Sequence, residues 1–231
     1  MKFSYLQFFG LFAGAVMSVS SFAQASPESE ATIDDLKVAP IRIPALQEVN
    51  GTPFFSPDYQ NATIRLKDNR YVPDMPVKFN ILNNAVMVQM DGQELKLESF
   101  KTVFYDEKSA EGTVKHIEFA MGFPEIDKHN DRSVYLLLAS GTKLQLLKYI
   151  TQKVEDASTL GDYSRKELVK TEQLYLYVPG KEMKRIKASK KDITEALPEL
   201  AAKIEEVSSA NNLKLKTEAE IISLVEALNN K

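Results

Sequence analysis

One segment of the chain concentrates side chains that could bind a metal ion or activate water. Residues 124–132, PEIDKHNDR, place three carboxylates and one imidazole in a single loop, at Glu125, Asp127, His129 and Asp131. Such a set could hold a hard cation or polarise a water molecule. However, the loop lacks the glycine and the distal glutamate of a calcium-binding loop, and Lys128 and Arg132 would compete for its carboxylates. We therefore predict a solvated hairpin loop without a metal ligand, and keep a metal-dependent hydrolase as a less favoured hypothesis.

A basic segment is the second candidate site. Residues 181–191, KEMKRIKASKK, contain six basic side chains among eleven. In an envelope compartment they would suit lipid head groups, lipopolysaccharide phosphates or an acidic partner. Lysines on an edge strand also discourage aggregation between sheets. We prefer this second explanation and predict the solvent face of an edge strand.

A group of tyrosines is the third candidate: Tyr149, Tyr163, Tyr175 and Tyr177. Aromatic rows often stack on sugars or bases. Tyr175 and Tyr177 alternate with Leu174, Leu176 and Val178, so one of these two sets must face away from the main core. The chain contains no tryptophan, which weakens a glycan-binding interpretation. We expect these rings to cover a sheet in the ordinary way.

The composition and motifs argue against several common chemistries. The chain has no cysteine, which excludes thiol catalysis, disulfide bonds and lipidation at a cysteine. The G-x-S-x-G, glycine-rich phosphate-loop and H-E-x-x-H motifs are also missing. Of its two histidines, His116 is predicted on the outer face of a strand and His129 in the loop described above. We predict a protein that is not an enzyme, with no catalytic residue and no cofactor.

Residues 62–187 show the period-two alternation of half-buried strands, which must position these side chains. Val77, Phe79 and Ile81 share one face of their strand, for example. The pairs Asn83-Asn84 and Asp91-Gly92 suit tight hairpin turns, so residues 76–98 should form a three-stranded meander. We count nine or ten strands and predict a mainly β fold, an antiparallel meander curled into a barrel or a sandwich. VYLLLAS and LQLLKYI are apolar on both faces, which predicts central strands covered on both sides.

The carboxy-terminal segment changes to a helical period. A first amphipathic stripe comprises Ile193, Leu197, Leu200, Ile204 and Val207. Ser189 and Asp192 resemble an N-cap pair, and Pro198 should kink the helix or restart it. A capping box at Thr217 and Glu220 opens a second helix, whose stripe comprises Ile221, Leu224, Val225 and Leu228. We predict a pair of helices packed on the sheet or on each other.

The amino terminus has the features of a secretory signal peptide. Lys2 precedes an apolar run too short to span a bilayer, and Ala23-Gln24-Ala25 is a small-x-small cleavage site. We predict a signal peptide over residues 1–25, a flexible leader over 26–50, an antiparallel β domain over 51–188 and the helical pair over 189–231. Phe54, Phe55 and Tyr59 should close one end of the β core.

Charge and hydropathy also restrict the partners. The chain carries 29 Lys and Arg against 32 Asp and Glu, a net charge of −3. This balance implies no generic affinity for nucleic acid or for anionic membranes. No stretch after the signal peptide is apolar enough to form a transmembrane segment.

The order of several motifs resembles a group of uncharacterised secreted proteins of Gram-negative bacteria. The shared pattern comprises an aromatic segment near its start (GTPFFSPDYQ), an L-x-D-G/N segment, a PVKFN strand, a late LLKYI strand, and a lysine-rich EMKRIK strand leading into two helices. The resemblance covers the chain from Gly51 onward. It implies a β-rich body, two carboxy-terminal helices and secretion, and assigns no functional residue.

Together these features indicate a periplasmic or secreted protein without enzymatic activity, acting as a binding or envelope-associated module. A carrier is the alternative, with an apolar ligand such as lipid in the cavity of a curled sheet and the helices as its lid. A third possibility is a partner-docking protein with an exposed helical stripe. The partner is therefore an unknown protein or an apolar ligand.

Overall fold

A computed structural model describes residues 29–41, 49–109, 111–156 and 166–230. The twelve strands, numbered in chain order, are β1 Lys37–Pro40, β2 Val49–Asn50, β3 Gln60–Arg65, β4 Tyr71–Asn80, β5 Ala85–Met90, β6 Gln93–Ser99, β7 Thr102–Lys108, β8 Val114–Ala120, β9 Tyr135–Ala139, β10 Gln145–Asp156, β11 Lys166–Tyr177 and β12 Met183–Ile186. The three α-helices are α1 Lys190–Ala196, α2 Ala201–Ala210 and α3 Glu218–Asn229. Two short 3₁₀ turns occupy Ile33–Asp35 and Pro198–Leu200.

All twelve strands belong to one sheet. Its order is β1-β6-β5-β4-β3-β7-β8-β9-β10-β11-β12, and every neighbouring pair along this path is antiparallel. The short β2 joins β11 in parallel. Within the described residues β1 and β12 remain the two ends of the path, so the sheet is curled and open. The mainly β prediction is confirmed, and ten of the strands follow Gly51, as counted from the sequence.

The predicted meander is confirmed by β4, β5 and β6. Its two turns need backbone with positive φ, and the residues there tolerate it: Asn84 has φ 46° and Asp91 φ 49°, followed by Gly92 at φ 76°. The residues of β4 that were predicted to share a face, Val77 and Phe79, are both buried.

Over β3–β8 the sheet is curled, and one face of this half encloses the larger core, which we call the curl core. It is built from large side chains, such as Phe79 and Phe119, whose ring centroids lie 4.5 Å apart. Phe55 closes this core edge-on against Phe119, as predicted. Phe54 and Tyr59 instead lie over the ammonium group of Lys78.

The helices cover the same face of the sheet over its second half. Ile204, Val207 and Leu224 are completely buried against β9–β12 side chains such as Leu146 and Leu176, so the predicted helical stripe is packed rather than exposed. Ser189 caps α1 by accepting a hydrogen bond from the backbone N–H of Asp192. Pro198 ends the first helix and starts the turn that leads into α2, because proline fits a first helical turn and lacks an N–H for its interior.

Part of the predicted flexible leader is an ordered edge of the sheet. β1 pairs with β6, and the side chains of Ala31 and Leu36 are buried in the curl core. Arg70 donates two hydrogen bonds to the Asp35 carboxylate at 3.0 Å, which lowers the pKa of Asp35 to about 2. These contacts to distant strands outweigh the polar composition of the segment. The predicted signal peptide, residues 1–25, lies outside the described residues.

Candidate functional site

Two of the sequence-predicted sites meet on the face of β9–β11 that is opposite the helices. Tyr149, Tyr175 and Tyr177 lie on this face with Tyr135 and Leu147. Residues 121–134, the covering loop, pack across these rings through Phe123, Ile126 and His129. The central strands are therefore covered on both sides, as VYLLLAS and LQLLKYI predicted. Tyr163, the fourth predicted tyrosine, lies outside the described residues.

His129 fixes the middle of the covering loop. Its ring stacks on Tyr149 with the centroids 3.7 Å apart and the planes 25° from parallel. Its Nδ1 lies 3.0 Å from the hydroxyl oxygen of Tyr135. The imidazole is thus enclosed by aromatic rings on one side and hydrogen-bonded on another, which holds the loop on the sheet.

Asp127 anchors the same loop through its carboxylate. Tyr175 donates a hydrogen bond of 3.1 Å to Asp127, and the Arg185 guanidinium of β12 lies 3.3 Å from the same oxygen. Tyr175 also donates to the side-chain carbonyl of Gln173 at 2.7 Å. The backbone of Asp127 and of Lys128 has positive φ, 56° and 106°, so the loop turns sharply at this point.

The apolar setting shifts the titration of this cluster towards neutral side chains. Burial lowers the pKa of the His129 imidazole, and the nearby Asp127 carboxylate opposes that shift. Burial raises the pKa of Tyr135 and Tyr149, and it raises that of Tyr175 with help from the hydrogen bond to Asp127. A rise in the pKa of the three phenols and a fall in that of the imidazole both favour a cluster with little charge.

Of the loop carboxylates, that of Asp127 makes structural contacts, and the loop side chains do not converge on a shared ligand position. Asp127 is engaged by Tyr175 and Arg185, and His129 points into the tyrosine rings. Over the described parts of the chain, no three His, Asp or Glu side chains are placed to share a metal ion. The side chains of the two predicted sites, the loop and the tyrosine row, thus serve as each other's packing and hydrogen-bonding partners.

Beside the covering loop lies a groove of about 730 Å³. Residues from six separate segments line it: Arg65, Lys67, Phe100, Lys101, Thr102, Glu118, Ala120, Met121, Gly122, Phe123, Asp131, Leu137, Ser140, Gly141, Thr142, Gln145 and Tyr177. Its volume is within the ~300–1,000 Å³ that is usual for small-molecule sites. We call this feature the groove.

Arg65 is the distinctive polar side chain of the groove. It stands at the end of β3, half-buried, with its guanidinium carbon 5.3 Å from the centre of the Tyr71 ring. Its Nε is buried without a hydrogen-bond partner, and its guanidinium forms no ion pair with any described residue. A buried donor without a partner costs free energy, because it has lost its hydration without replacement.

Two lysines that line the groove add to its positive charge. The ammonium group of Lys101 donates a 2.7 Å hydrogen bond to the neutral amide of Asn69. Lys67 is exposed, and in the described chain its side chain has no acidic partner. Glu118 and Asp131 also line the groove, but neither forms an ion pair with these three cations in the described chain. The groove therefore holds separated charges, with one more cation than anions.

The other main group of side chains that line the groove is aromatic and apolar. Phe123 packs edge-on against Tyr177, with their ring centroids 5.4 Å apart, and the same ring packs edge-on against Tyr135. Phe100 and Met121 are buried at the base, and Leu137 is half-buried. Apolar lining combined with a few charged groups is typical of sites that bind and orient small molecules.

The basic segment 181–191 includes an edge strand with exposed charges, as predicted. β12 is the terminal strand of the sheet path, and most of its charges are paired: Lys181 with Glu199, Lys184 with Glu182, Arg185 with Asp127, Lys190 with Glu205 and Lys191 with Glu195. His116, in the exposed first part of β8, is likewise bonded to Asp106 at 2.9 Å.

Comparison with known proteins gives no relative for this chain. No family model matches it, and no curated protein or solved structure matches it. In the part of the chain that the structure describes, no helix is both long and apolar enough to cross a membrane.

Proposed function

We propose that this protein is a secreted or periplasmic binding module without enzymatic activity, and that the groove binds a ligand that joins an anionic group to an apolar or aromatic body. One observation carries the proposal. Arg65 sits at the groove with a guanidinium that no described carboxylate neutralises, and with its Nε buried and unpartnered.

The chemistry of the groove fits such a ligand. A guanidinium forms short, charge-assisted hydrogen bonds to carboxylate, sulfonate or phosphate oxygens, often two at once. Lys67 and Lys101 lie on the same groove and add attraction for an anion. Phe123, Tyr177 and Leu137 offer apolar surface for the rest of the molecule.

The compartment in this proposal depends on the sequence alone. The signal-like residues 1–25 and the resemblance to secreted proteins of Gram-negative bacteria support export. The lack of cysteine fits a fold held by packing in any redox compartment.

Binding of anilinonaphthalenesulfonate, an anionic aromatic probe, tests the proposal. We expect saturable fluorescence enhancement with the natural chain, and affinity reduced about tenfold or more in Arg65→Gln, since a hydrogen bond to a charged group contributes about 1.5–3 kcal/mol. The affinity of Arg65→Lys should lie between those of the natural chain and Arg65→Gln, because lysine keeps the charge and lacks the planar guanidinium. Fluorescence titration at fixed ionic strength measures each affinity.

Lys191→Gln is the matched control for this titration. It removes the same unit of charge from an exposed side chain that pairs with Glu195 on α1, away from the groove. Its affinity should equal that of the natural chain. Equal affinities for Arg65→Gln and the natural chain would contradict the proposal.

The alternative is a carrier whose apolar ligand lies inside the curled sheet. The inward side chains there are large and closely packed, including Ile64, Phe79, Phe100, Phe119 and Leu136, which favours the groove over the interior. Native mass spectrometry of protein purified from its own envelope tests the alternative. A co-purified lipid would support the carrier, and its absence under gentle ionisation would count against it.

A further inference from the structure

Strands β8 and β9 separate within the sheet. They pair through two residue pairs, Phe119 with Leu136 and Ala120 with Tyr135. β8 begins at Val114 and β9 ends at Ala139, so the remaining lengths of both strands run unpaired with each other. The sheet therefore contains a split, and the groove opens on one side of it.

A crevice of about 310 Å³ lies at the same split, between β8, β9 and helix α3. Its lining is mainly apolar: Phe55, Ile117, Leu136, Leu137, Leu138, Ile150 and Ile222, with Lys115, His116, Lys148, Lys170, Glu172 and Glu218 around them. Leu138 contacts both the curl core and the core under the helices, so the crevice lies where the two cores meet. We call this feature the crevice.

The groove and the crevice share one residue. Leu137 of β9 lines both spaces. It is half-buried, and its neighbours Leu136 and Leu138 line the crevice alone. The two spaces therefore approach each other at the split, along the strand that β8 leaves uncovered.

We propose that the groove and the crevice form one site for a long-chain anionic amphiphile, such as a fatty carboxylate. The head group pairs with Arg65 in the groove, and the alkyl chain runs past Leu137 into the crevice under α3. This inference rests on the proposed function and names the class of its ligand.

The charges around the crevice explain why the alkyl chain, rather than the anionic head group, occupies it. Lys148, whose side chain is 11% exposed, is held between the carboxylates of Glu172 and Glu218. Lys170 pairs with Glu172, and His116 bonds Asp106. Lys148 and Lys170 are therefore already paired with carboxylates, which leaves the apolar side chains of the crevice for the alkyl chain. Arg65 and Lys67, on the groove side, have no such partners in the described chain.

Chain length is the variable that tests this site. We expect the affinity of the full chain for saturated carboxylates, from hexanoate to dodecanoate, to rise by up to about fourfold per added methylene, since each buried methylene contributes about 0.8 kcal/mol. Isothermal titration below the critical micelle concentration measures the series. Ile222→Trp should fill the crevice and abolish this rise, while anilinonaphthalenesulfonate binding in the groove remains unchanged.

Ser223→Trp is the matched control. Ser223 neighbours Ile222 on α3 but is exposed and does not line the crevice, so the series should behave as in the natural chain.

An affinity independent of chain length, with Arg65-dependent probe binding intact, would overturn the amphiphile site and leave the proposed function standing. Chain-length dependence that Arg65→Gln does not weaken would place the head elsewhere, for example at Lys115, and would also overturn the inference. If no probe bound in a way that depends on Arg65, the proposed function itself would be overturned.

A second measurement needs no substitution. Stearate carrying a nitroxide on its chain should broaden the methyl NMR signals of Ile117, Ile150 and Ile222. The signal of Ile33, which is 50% exposed and outside the crevice, serves as the internal control. Equal broadening of all four signals, or of none, would contradict a chain bound in the crevice.

Discussion

Arg65 and His129 show two ways of placing a basic side chain in an apolar setting. His129 is hydrogen-bonded by Tyr135 and stacked on Tyr149, so its setting favours the neutral ring. Arg65 cannot become neutral, because a guanidinium remains protonated in proteins. Its Nε is buried without a hydrogen-bond partner, and its guanidinium forms no ion pair in the described chain. This difference is our reason for proposing the groove, rather than the covering loop, as the binding site.

The pKa of His129 predicts how the fold responds to acid. Burial lowers this pKa in the folded state, whereas in the unfolded chain it is about 6.5. As the pH falls below about 6.5, the unfolded chain therefore binds more protons at this residue than the folded chain does. The free energy of unfolding should therefore fall as pH decreases from 7.5 to 5. In His129→Gln this part of the fall should disappear, and urea unfolding at a series of pH values measures the difference.

If His129→Gln and the natural chain lost stability in parallel between pH 7.5 and 5, the covering loop would not be held by a neutral imidazole.

The sequence predicted the components of the covering loop and missed their contact. Asp127 and His129 were recognised as a possible site, and Tyr175 as part of an aromatic row, but their pairing depends on where a loop folds back across three strands. Arg65 gave a weaker signal still. In an alternating strand it is an ordinary outward-facing residue, and its isolation becomes visible only when Lys101 and Phe123 are brought beside it.

Local rules were sufficient for most elements. Asn84 and Asp91 specified the turns of the meander, and the four-three spacing after Ser189 specified the helices, since turns and caps depend on neighbouring residues. β1 was missed because its pairing with β6 joins Leu97 to Val38 across a long stretch of chain. No local pattern specifies a partner at that distance.

The cap of α3 gives a prediction at the scale of the element. The Thr217 side chain accepts a hydrogen bond from the N–H of Glu220, while the Glu220 carboxylate accepts one from the N–H of Thr217. Backbone N–H groups, that of Lys214 foremost, lower the pKa of Glu220. Thr217→Ala should lower the free energy of unfolding by about 1 kcal/mol, because it removes this capping acceptor. Thermal and urea unfolding monitored by circular dichroism measure the change.

Thr217→Ser separates capping from packing in that experiment. Serine keeps the capping oxygen and removes only an exposed methyl group, so it should retain nearly the full stability. A loss in Thr217→Ser as large as that in Thr217→Ala would show that the hydroxyl does not stabilise α3.

At the scale of the whole molecule, one continuous sheet carries two cores. Over β3–β8 it curls around large apolar side chains, and over β9–β12 it lies between the helices and the covering loop. Leu138 contacts both cores at the point where β8 and β9 separate. The groove lies beside this split because the sheet changes there from a curled wall to a layered one. The proposed binding site thus lies where the two halves of the fold meet.

The NMR signal of the Arg65 side chain tests the central claim most directly. Titration of the isotope-labelled full chain with anilinonaphthalenesulfonate should shift the Arg65 Nε–H resonance together with the backbone amides of Gly122 and Thr142, which line the groove from other segments. The amide of Lys191 on α1 should stay in place. Saturable binding that leaves the Arg65, Gly122 and Thr142 signals unmoved would contradict a ligand site in the groove.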